Sequence, residues 1–385
     1  MNIRRTTNTV KVGDIFIGSD FPVRVQTMTN TDTNDINGSV EQIKKCAEAG
    51  AELVRLTTQG EKEVDNLAII KQKLLENGIN IPLVADVHFN ANVAIKAAQV
   101  VEKVRINPGN FVKSIKNRSE QSDNNYTDEE FEQEKLLLKN KFIEFLNVCK
   151  KHSTAVRIGV NHGSLSERIM SRYGDTPLGM VESCMELLRV CREENFDQIV
   201  ISLKSSNTTL MIMAVRLLVE KMEAENFHFP LHLGVTEAGD GEDGRIKSAI
   251  GIGALLIDGI GDTIRVSLSE TPENEIPTAF NILQATRSRI TKTEYIACPG
   301  CGRTLFDLQT TLQKIKTATS HLAGLKIAVM GCIVNGLGEM ADADYGYVGA
   351  GQGRVSLYKG KTCIERNIPA EQAVEKLLQI IEIKS

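Results

Sequence analysis

The sequence predicts an α/β protein: a (β/α)8 (TIM) barrel followed by a small α+β domain. Short β-branched runs alternate eight times with amphipathic helical patterns. The rhythm then stops, and four of the eight cysteines fall in the last quarter of the chain. The strand-like runs are Val23–Thr29, Leu53–Thr58, Ile81–Val87, Lys103–Pro108, Ala155–Asn161, Gln198–Lys204, Leu231–Glu237 and Thr263–Leu268. Between them lie helical patterns at Gly38–Ala49, Asp65–Asn77, Ala91–Val101, Phe131–Lys151, Leu178–Glu194, Asn207–Ala224 and Gly244–Leu255, with a last barrel helix over Pro272–Arg289. Eight such units over roughly 270 residues suit a closed barrel better than an open, doubly wound sheet. A polar stretch, Lys113–Glu130, breaks the pattern and reads as a mobile insertion after the fourth strand. A linker near Ile290–Tyr295 divides a barrel domain, 1–290, from a tail domain, 291–385. The tail has strands at Lys326–Met330 and Arg354–Tyr358 and a closing helix at Ala370–Ile383.

Composition narrows the partners. The 385 residues are 42% hydrophobic and 24% charged, ordinary values for a globular enzyme. A net charge of −4, 5% aromatics and no Trp argue against nucleic acid. The start leads into no apolar signal segment. The most apolar stretch, Ile250–Ile260, is broken by Gly251, Gly253, Asp258 and Gly259 and is too short to span a bilayer. A cytoplasmic protein is expected. Cys46, Cys149, Cys184 and Cys191 sit singly in helical patterns and read as small buried hydrophobes.

Barrel chemistry gathers at the C-terminal ends of strands. There the sequence puts Thr27 and Asn30, Arg55, Asp86 and His88, Arg105 and Asn107, Arg157 and Asn161, Lys204, Glu237, and Arg265 with Ser267. Five of these are cations, with only Asp86 and Glu237 to balance them. A ligand carrying two phosphates explains that excess, because guanidinium forks match phosphate oxygens. Glu237 opens a glycine-rich acidic loop; it is either a proton donor beside the phosphates or an orienting partner for Arg265 or Lys204. His88 either bonds the ligand or caps its strand. Ile260–Thr263 has the look of a backbone phosphate nest. Lys204 also suits a Schiff base, the alternative being a phosphosugar lyase or aldolase.

Cys298-Pro299-Gly300-Cys301 presents two thiols to one centre, and Cys332 follows an apolar strand. The candidates for a fourth ligand are Cys363 on a strand, His321 on a helix, and Glu339 on the same glycine-rich turn as Cys332. Iron–sulfur, structural zinc and a redox dithiol all stay open on these residues alone.

The chain resembles the 4-hydroxy-3-methylbut-2-enyl diphosphate synthase family, the reductive enzymes of the methylerythritol phosphate route to isoprenoids. The resemblance rests on Val25–Thr33, Ala85–Phe89, Arg105–Asn110, Gly234–Gly239, Gly259–Ser267, Cys298–Arg303 and the Cys332…Glu339 segment, in that order. It implies a [4Fe–4S] cluster held by Cys298, Cys301, Cys332 and Glu339, and 2-C-methyl-D-erythritol 2,4-cyclodiphosphate as substrate. It implies substrate contacts from Arg55, Asp86, His88, Arg105, Asn107, Arg157, Lys204, Glu237, Arg265 and Ser267, with Glu237 as the expected proton donor. It also implies a head-to-tail homodimer in which one subunit's cluster caps the other's barrel. No dinucleotide or flavin fingerprint occurs, so an external flavodoxin or ferredoxin is the expected electron donor. Leu337 stands where the family usually has Pro. Asn161–Ser166 and Gly179–Ser183 resemble the plant and chlamydial branch, whose large extra domain has no room in this chain.

Overall fold

The computed structural model describes residues 4–115 and 126–382. They form two compact units, Met1–Arg289 and Ile290–Ser385.

The first unit opens with a hairpin the sequence reading missed, β1 (Val10–Val12) and β2 (Ile15–Ile17). Eight parallel strands follow: β3 Arg24–Met28, β4 Leu53–Thr57, β5 Leu83–Val87, β6 Lys103–Ile106, β7 Ala155–Asn161, β8 Ile199–Lys204, β9 His232–Leu233 and β10 Thr263–Ile264. Their order runs from β8 through β3 to β10 and β9, and Ile201 pairs with Leu231 to bring the two ends together. The barrel is therefore all but closed. β9 and β10 are two-residue ladders, shorter than the predicted runs. Pro230 leaves a strand with no N–H to donate at its start, and the chain leaves the ladder at Gly234. Glu237, Arg265 and Ser267 thus stand on loops beyond the strand ends.

A helix follows each strand: Ile36–Glu48, Glu61–Glu76, Ala91–Ala97, Asp128–His152, Pro177–Glu193 (after a short Glu167–Tyr173), Thr208–Ala224, Gly241–Ile257 and Glu275–Ala285. The last is preceded by a 3-10 turn, Pro272–Asn274, and is shorter than expected. The long helix starts at Asp128, inside the stretch read as an insertion. Thr127 Oγ1 accepts from Glu130 N (3.2 Å) while Glu130 Oε2 accepts from Thr127 N (2.8 Å), a capping box written as Thr-x-x-Glu. Residues 116–125, the middle of that insertion, lie outside the described residues.

The main core lies between the outward strand faces and the helices. Inside the barrel, Val10, Val12 and Ile17 of the hairpin meet Leu53, Val84, Ala155 and Val200. This apolar plug closes the N-terminal end of the lumen. Asp262, taken above as part of a phosphate nest, is at that closed end as well. Its carboxylate holds Arg4 (2.6 Å), the Thr7 hydroxyl (3.0 Å) and the Leu231 N–H (2.9 Å), so the segment fastens the N-terminal arm.

The second unit is a five-stranded sheet: β11 Glu294–Ala297, β12 Lys326–Met330, β13 Tyr345–Gly351, β14 Arg354–Lys359 and β15 Thr362–Pro369, in chain order. β11, β12 and β13 are parallel, and β13–β15 form an antiparallel meander. β11 begins inside the stretch read as linker. Helices Leu308–Thr319 and Ala370–Glu382 help bury Ile327, Val329, Tyr347 and Leu357 in one core; Met340, just past helix Ile333–Glu339, joins Ala328, Met330 and Val348 in another. The Cys332…Glu339 segment is this helix, with Cys332 at its N-cap, where a turn was expected. His321 is in a turn past Thr319 and not on a helix.

Candidate active site

Side chains alternate along a strand, so Arg55, Asp86, Arg105 and Arg157 share the lumen side with Leu53, Val84, Lys103 and Ala155 two residues earlier. Register sets Asp86 opposite Arg105 and Arg105 opposite Arg157. A typical barrel fills this layer with branched hydrophobes. This one fills it with charge.

Asp86 is the hub. Its Oδ1 is 3.0 Å from Arg105 Nη1, and its Oδ2 is 3.5 Å from both Arg55 Nε and His88 Nε2. Burial pushes the Asp86 carboxyl up, but Arg55, Arg105 and His88 outweigh it and hold it well below the usual carboxylate range. His88 also meets Arg105, so it serves this network at the end of β5. Arg105 Nη2 donates to Gly159 O (2.8 Å). Glycine at 159 leaves Arg105 its place, since a Cβ there would stand 2.5 Å from Arg105 Nε.

Arg157, like Lys204, is unpaired among the described residues. It is wholly buried, and its Nε and Nη1 have no partner there. Burial, then Arg55 and Arg105, push its pKa well below the ordinary guanidinium value. Lys204 ends β8, 6% exposed, with no hydrogen bond or ion pair among the described residues. Burial, then Arg157 and Arg55, drive its ammonium far down. Gly234 leaves the space its Nζ occupies: a Cβ there would lie 2.8 Å away. Arg55 is pushed down to about 10, first by burial. Its Nε and Nη2 lie 3.1 and 2.8 Å from Met28 Sδ.

Glu237 does not orient Arg265 or Lys204. It is exposed, without a partner among the described residues, and held at φ 52°. The second balancing acid is Glu275, which sequence reasoning missed: its Oε1 is 3.1 Å from Arg265 Nη2 and its Oε2 accepts from Thr27 Oγ1 at 2.9 Å. Asn107 is wholly buried and donates to Ser164 Oγ (2.8 Å), while its Oδ1 caps Gly109 N (3.2 Å). Ser267 is half-buried on the loop after β10, Asn161 closes β7, and Asn30 faces solvent beside Gln42 (2.5 Å). A sixth cation was also overlooked. Lys103 lies in the lumen below Arg105, and the Lys-x-Arg alternation in Lys103–Ile106 was the signal for it.

In the second unit Cys298 follows β11 and Cys332 follows β12, adjacent parallel strands whose C-terminal ends frame a crevice. Gly300, at φ 78°, makes the turn that brings Cys301 round. Cys298, Cys301, Cys332 and Glu339 line one cavity of about 320 Å³. Among the described residues no three metal-binding side chains converge closely enough to hold a single ion. Gly331 N donates to Cys298 Sγ (3.1 Å), a bond that stabilises a thiolate. Three sulfurs and a carboxylate around a space larger than one ion fit a cubane cluster in chemistry and in room. Cys363 lies on β15, outside that lining, and its Sγ turns to Glu365 O (3.5 Å). Leu337 is an exposed residue of the helix Ile333–Glu339.

Residues 7–280 match the GcpE TIM-barrel domain and residues 294–383 the GcpE protein C-terminal domain. The chain belongs to the GcpE family. Family relatives include the 4-hydroxy-3-methylbut-2-en-1-yl diphosphate synthase (ferredoxin) of Prochlorococcus marinus subsp. pastoris, 54% identical over 98% of this chain and 93% of that protein. The 4-hydroxy-3-methylbut-2-en-1-yl diphosphate synthase (flavodoxin) of Parabacteroides distasonis is 41% identical over 98% of each chain. Its alignment runs over 600 positions against 385 residues here, so at least 215 positions of that relative have no counterpart. The Prochlorococcus alignment, over 382 positions, has no such excess. Among solved structures, Yersinia pestis dihydropteroate synthase aligns at a TM-score of 0.45 and 13% identity, covering 73% of this chain and 99% of that one. At that score the likeness says nothing about function.

Proposed function

We propose that the two sites serve one reaction, the one that gives the family its activity. The chain is a 4-hydroxy-3-methylbut-2-en-1-yl diphosphate synthase, an oxidoreductase that opens 2-C-methyl-D-erythritol 2,4-cyclodiphosphate with electrons from flavodoxin or ferredoxin. Two electrons and two protons enter, the ring opens, and one hydroxyl leaves as water. The single observation that carries the substrate class is Arg157, a buried guanidinium with two nitrogens unpartnered among the described residues, beside Arg55, Arg105 and Lys204, with Asp86 already shared. Phosphate oxygens supply the missing acceptors.

In this reading Arg55, Arg105, Arg157, Lys204 and Arg265 hold the diphosphate. Asp86 and His88 fix Arg105 and Arg55, and Asn107 and Ser267 offer neutral hydrogen bonds at the rim. Glu237, on its loop beyond β9, delivers a proton from its carboxyl to the departing hydroxyl. Cys298, Cys301, Cys332 and Glu339 would hold a [4Fe–4S] cluster, which when bound supplies one-electron transfers. Water is excluded from behind by the hairpin plug.

A head-to-tail homodimer, the cysteine unit of one copy serving the barrel of the other, belongs to the same proposal. Exposed Ile333, Val334 and Leu337 beside the cysteine cavity support it, as apolar side chains suited to a covered surface. Mixing an Arg157→Met chain with a Cys332→Ala chain tests it, since only exchange between copies restores activity.

The reaction is tested with anaerobically purified protein, reduced donor and cyclodiphosphate, following product by mass spectrometry. Arg157→Met is expected to abolish binding while iron content stays unchanged. Cyclodiphosphate that is neither bound nor consumed by iron-replete wild type overturns the reading. The lyase alternative with a zinc-stapled tail gives way to the family membership.

A further inference from the structure

Beneath the cradle is a second buried tier, and this inference rests on reading the tier above it as a phosphate site. Lys103 is two residues before Arg105 on β6, facing the same lumen, with no exposure at all. Its Nζ donates to Gln26 Oε1 on β3 (3.1 Å), and it forms no ion pair among the described residues. His232, also buried, reaches Thr263 Oγ1 (3.4 Å) through Nδ1 and leaves Nε2 without a partner among the described residues. Among the described residues Gln26 Nε2, Arg105 Nε and two nitrogens of Arg157 are unpartnered as well. The charged or titratable groups around this lumen are Arg55 from β4, Asp86 from β5 with His88 after it, Arg105, Arg157 from β7, Lys204 from β8, His232 from β9, and Arg265 with Glu275 after β10; on β3, Gln26 is neutral and Arg24 is turned to Phe16 O and Glu52. Of the two carboxylates among them, Asp86 is engaged by Arg55 and Arg105 and Glu275 by Arg265.

A buried ammonium facing guanidiniums, and bonded only to an amide oxygen, is driven toward the neutral amine. Burial first, then Arg157 and Arg55, hold Lys103 far below the ordinary lysine value. A phosphate seated on Arg157 would cancel that repulsion. We propose that Lys103 is a positioning residue of the anion cradle: it takes up a proton when phosphate enters above it, and so ties ligand affinity to pH. The sign follows from linkage. Binding that consumes a proton weakens as pH rises.

The test uses the full-length holoenzyme under anaerobic conditions and inorganic pyrophosphate as the probe. Calorimetric titrations at one pH, in two buffers of different ionisation enthalpy, read the protons taken up. Wild type is expected to take up protons on binding, and Lys103→Met to take up fewer. The variant should also bind about tenfold more weakly, the equivalent of one pKa unit, with an affinity that depends less on pH. In steady state its KM rises by a similar factor while kcat holds. Lys103→Arg, a cation that keeps its proton, should retain affinity and, like Lys103→Met, take up fewer protons than wild type. Wild type that takes up no proton overturns the inference whatever the variants do, as does a folded Lys103→Met with unchanged uptake. Pyrophosphate that does not bind wild type overturns the cradle reading itself.

Discussion

Arg265 and Glu275 meet fork to fork, Nη2 3.1 Å from Oε1 and Nε 3.3 Å from Oε2. The same carboxylate takes the Thr27 hydroxyl (2.9 Å) and the Leu268 N–H (3.1 Å), so it anchors the loop after β10 to β3. Glu275→Gln keeps the shape and removes the charge. The expected cost is about 3 kcal/mol of stability, with a raised KM for cyclodiphosphate. Thermal unfolding and steady-state kinetics check the two effects separately.

Glu237 holds a left-handed backbone at φ 52°, a conformation that costs a non-glycine residue about 1 kcal/mol. Glu237→Gly should therefore leave stability equal or higher while turnover collapses. Glu237→Gln keeps the strain and removes only the proton. Near-wild-type turnover in either variant, with the cluster intact, removes Glu237 from the donor role.

Asp86 sets an acid limb. Its folded pKa is held below 3.8, so its contribution is complete above that value and is lost as pH falls through the lower, folded one. Against Asp86→Asn, wild type should be more stable by about 3–5 kcal/mol at neutral pH. The gap should close only under strong acid. Melting temperatures of both proteins across an acid series decide it, and a gap that closes at neutral pH contradicts it.

Gly159→Ala puts a methyl 2.5 Å from Arg105 Nε and forces that side chain aside. Because the arginine rather than the backbone yields, the fold should survive. Substrate KM should rise about tenfold, one hydrogen-bonded fork's worth. Circular dichroism alongside kinetics separates this outcome from misfolding.

Cys298→Ala, Cys301→Ala and Cys332→Ala should each lower iron and sulfide from about four per chain toward zero. Cys363→Ala should not. Paramagnetic resonance after reduction gives the readout.

The barrel was legible because each β-branched run is followed by a helical pattern, and a parallel strand buried on both faces needs little else. Most mouth residues were legible because strand ends converge by construction. Two kinds of information were not. Glu275 lies on a helix after the last strand, where nothing local distinguishes it from a solvated first-turn acid. Lys103 was passed over because its position, deep in a strand, is normally apolar. Helix Ile333–Glu339 was hidden by Gly336 and Gly338, which lower helix propensity, while contacts of Gly336 with Met330 and Val348 favour the close packing that glycine permits.

The β1–β2 hairpin turns the lumen from a pipe into a cup. On the proposed reading solvent and ligand share one aperture, so a seated molecule would cork Lys103 and His232 below it. Any proton those groups gain has to arrive before the cork is home, and it stays until the cork is drawn. The acid–base state of the interior would then be fixed once per catalytic cycle, with product departure the moment at which it is reset.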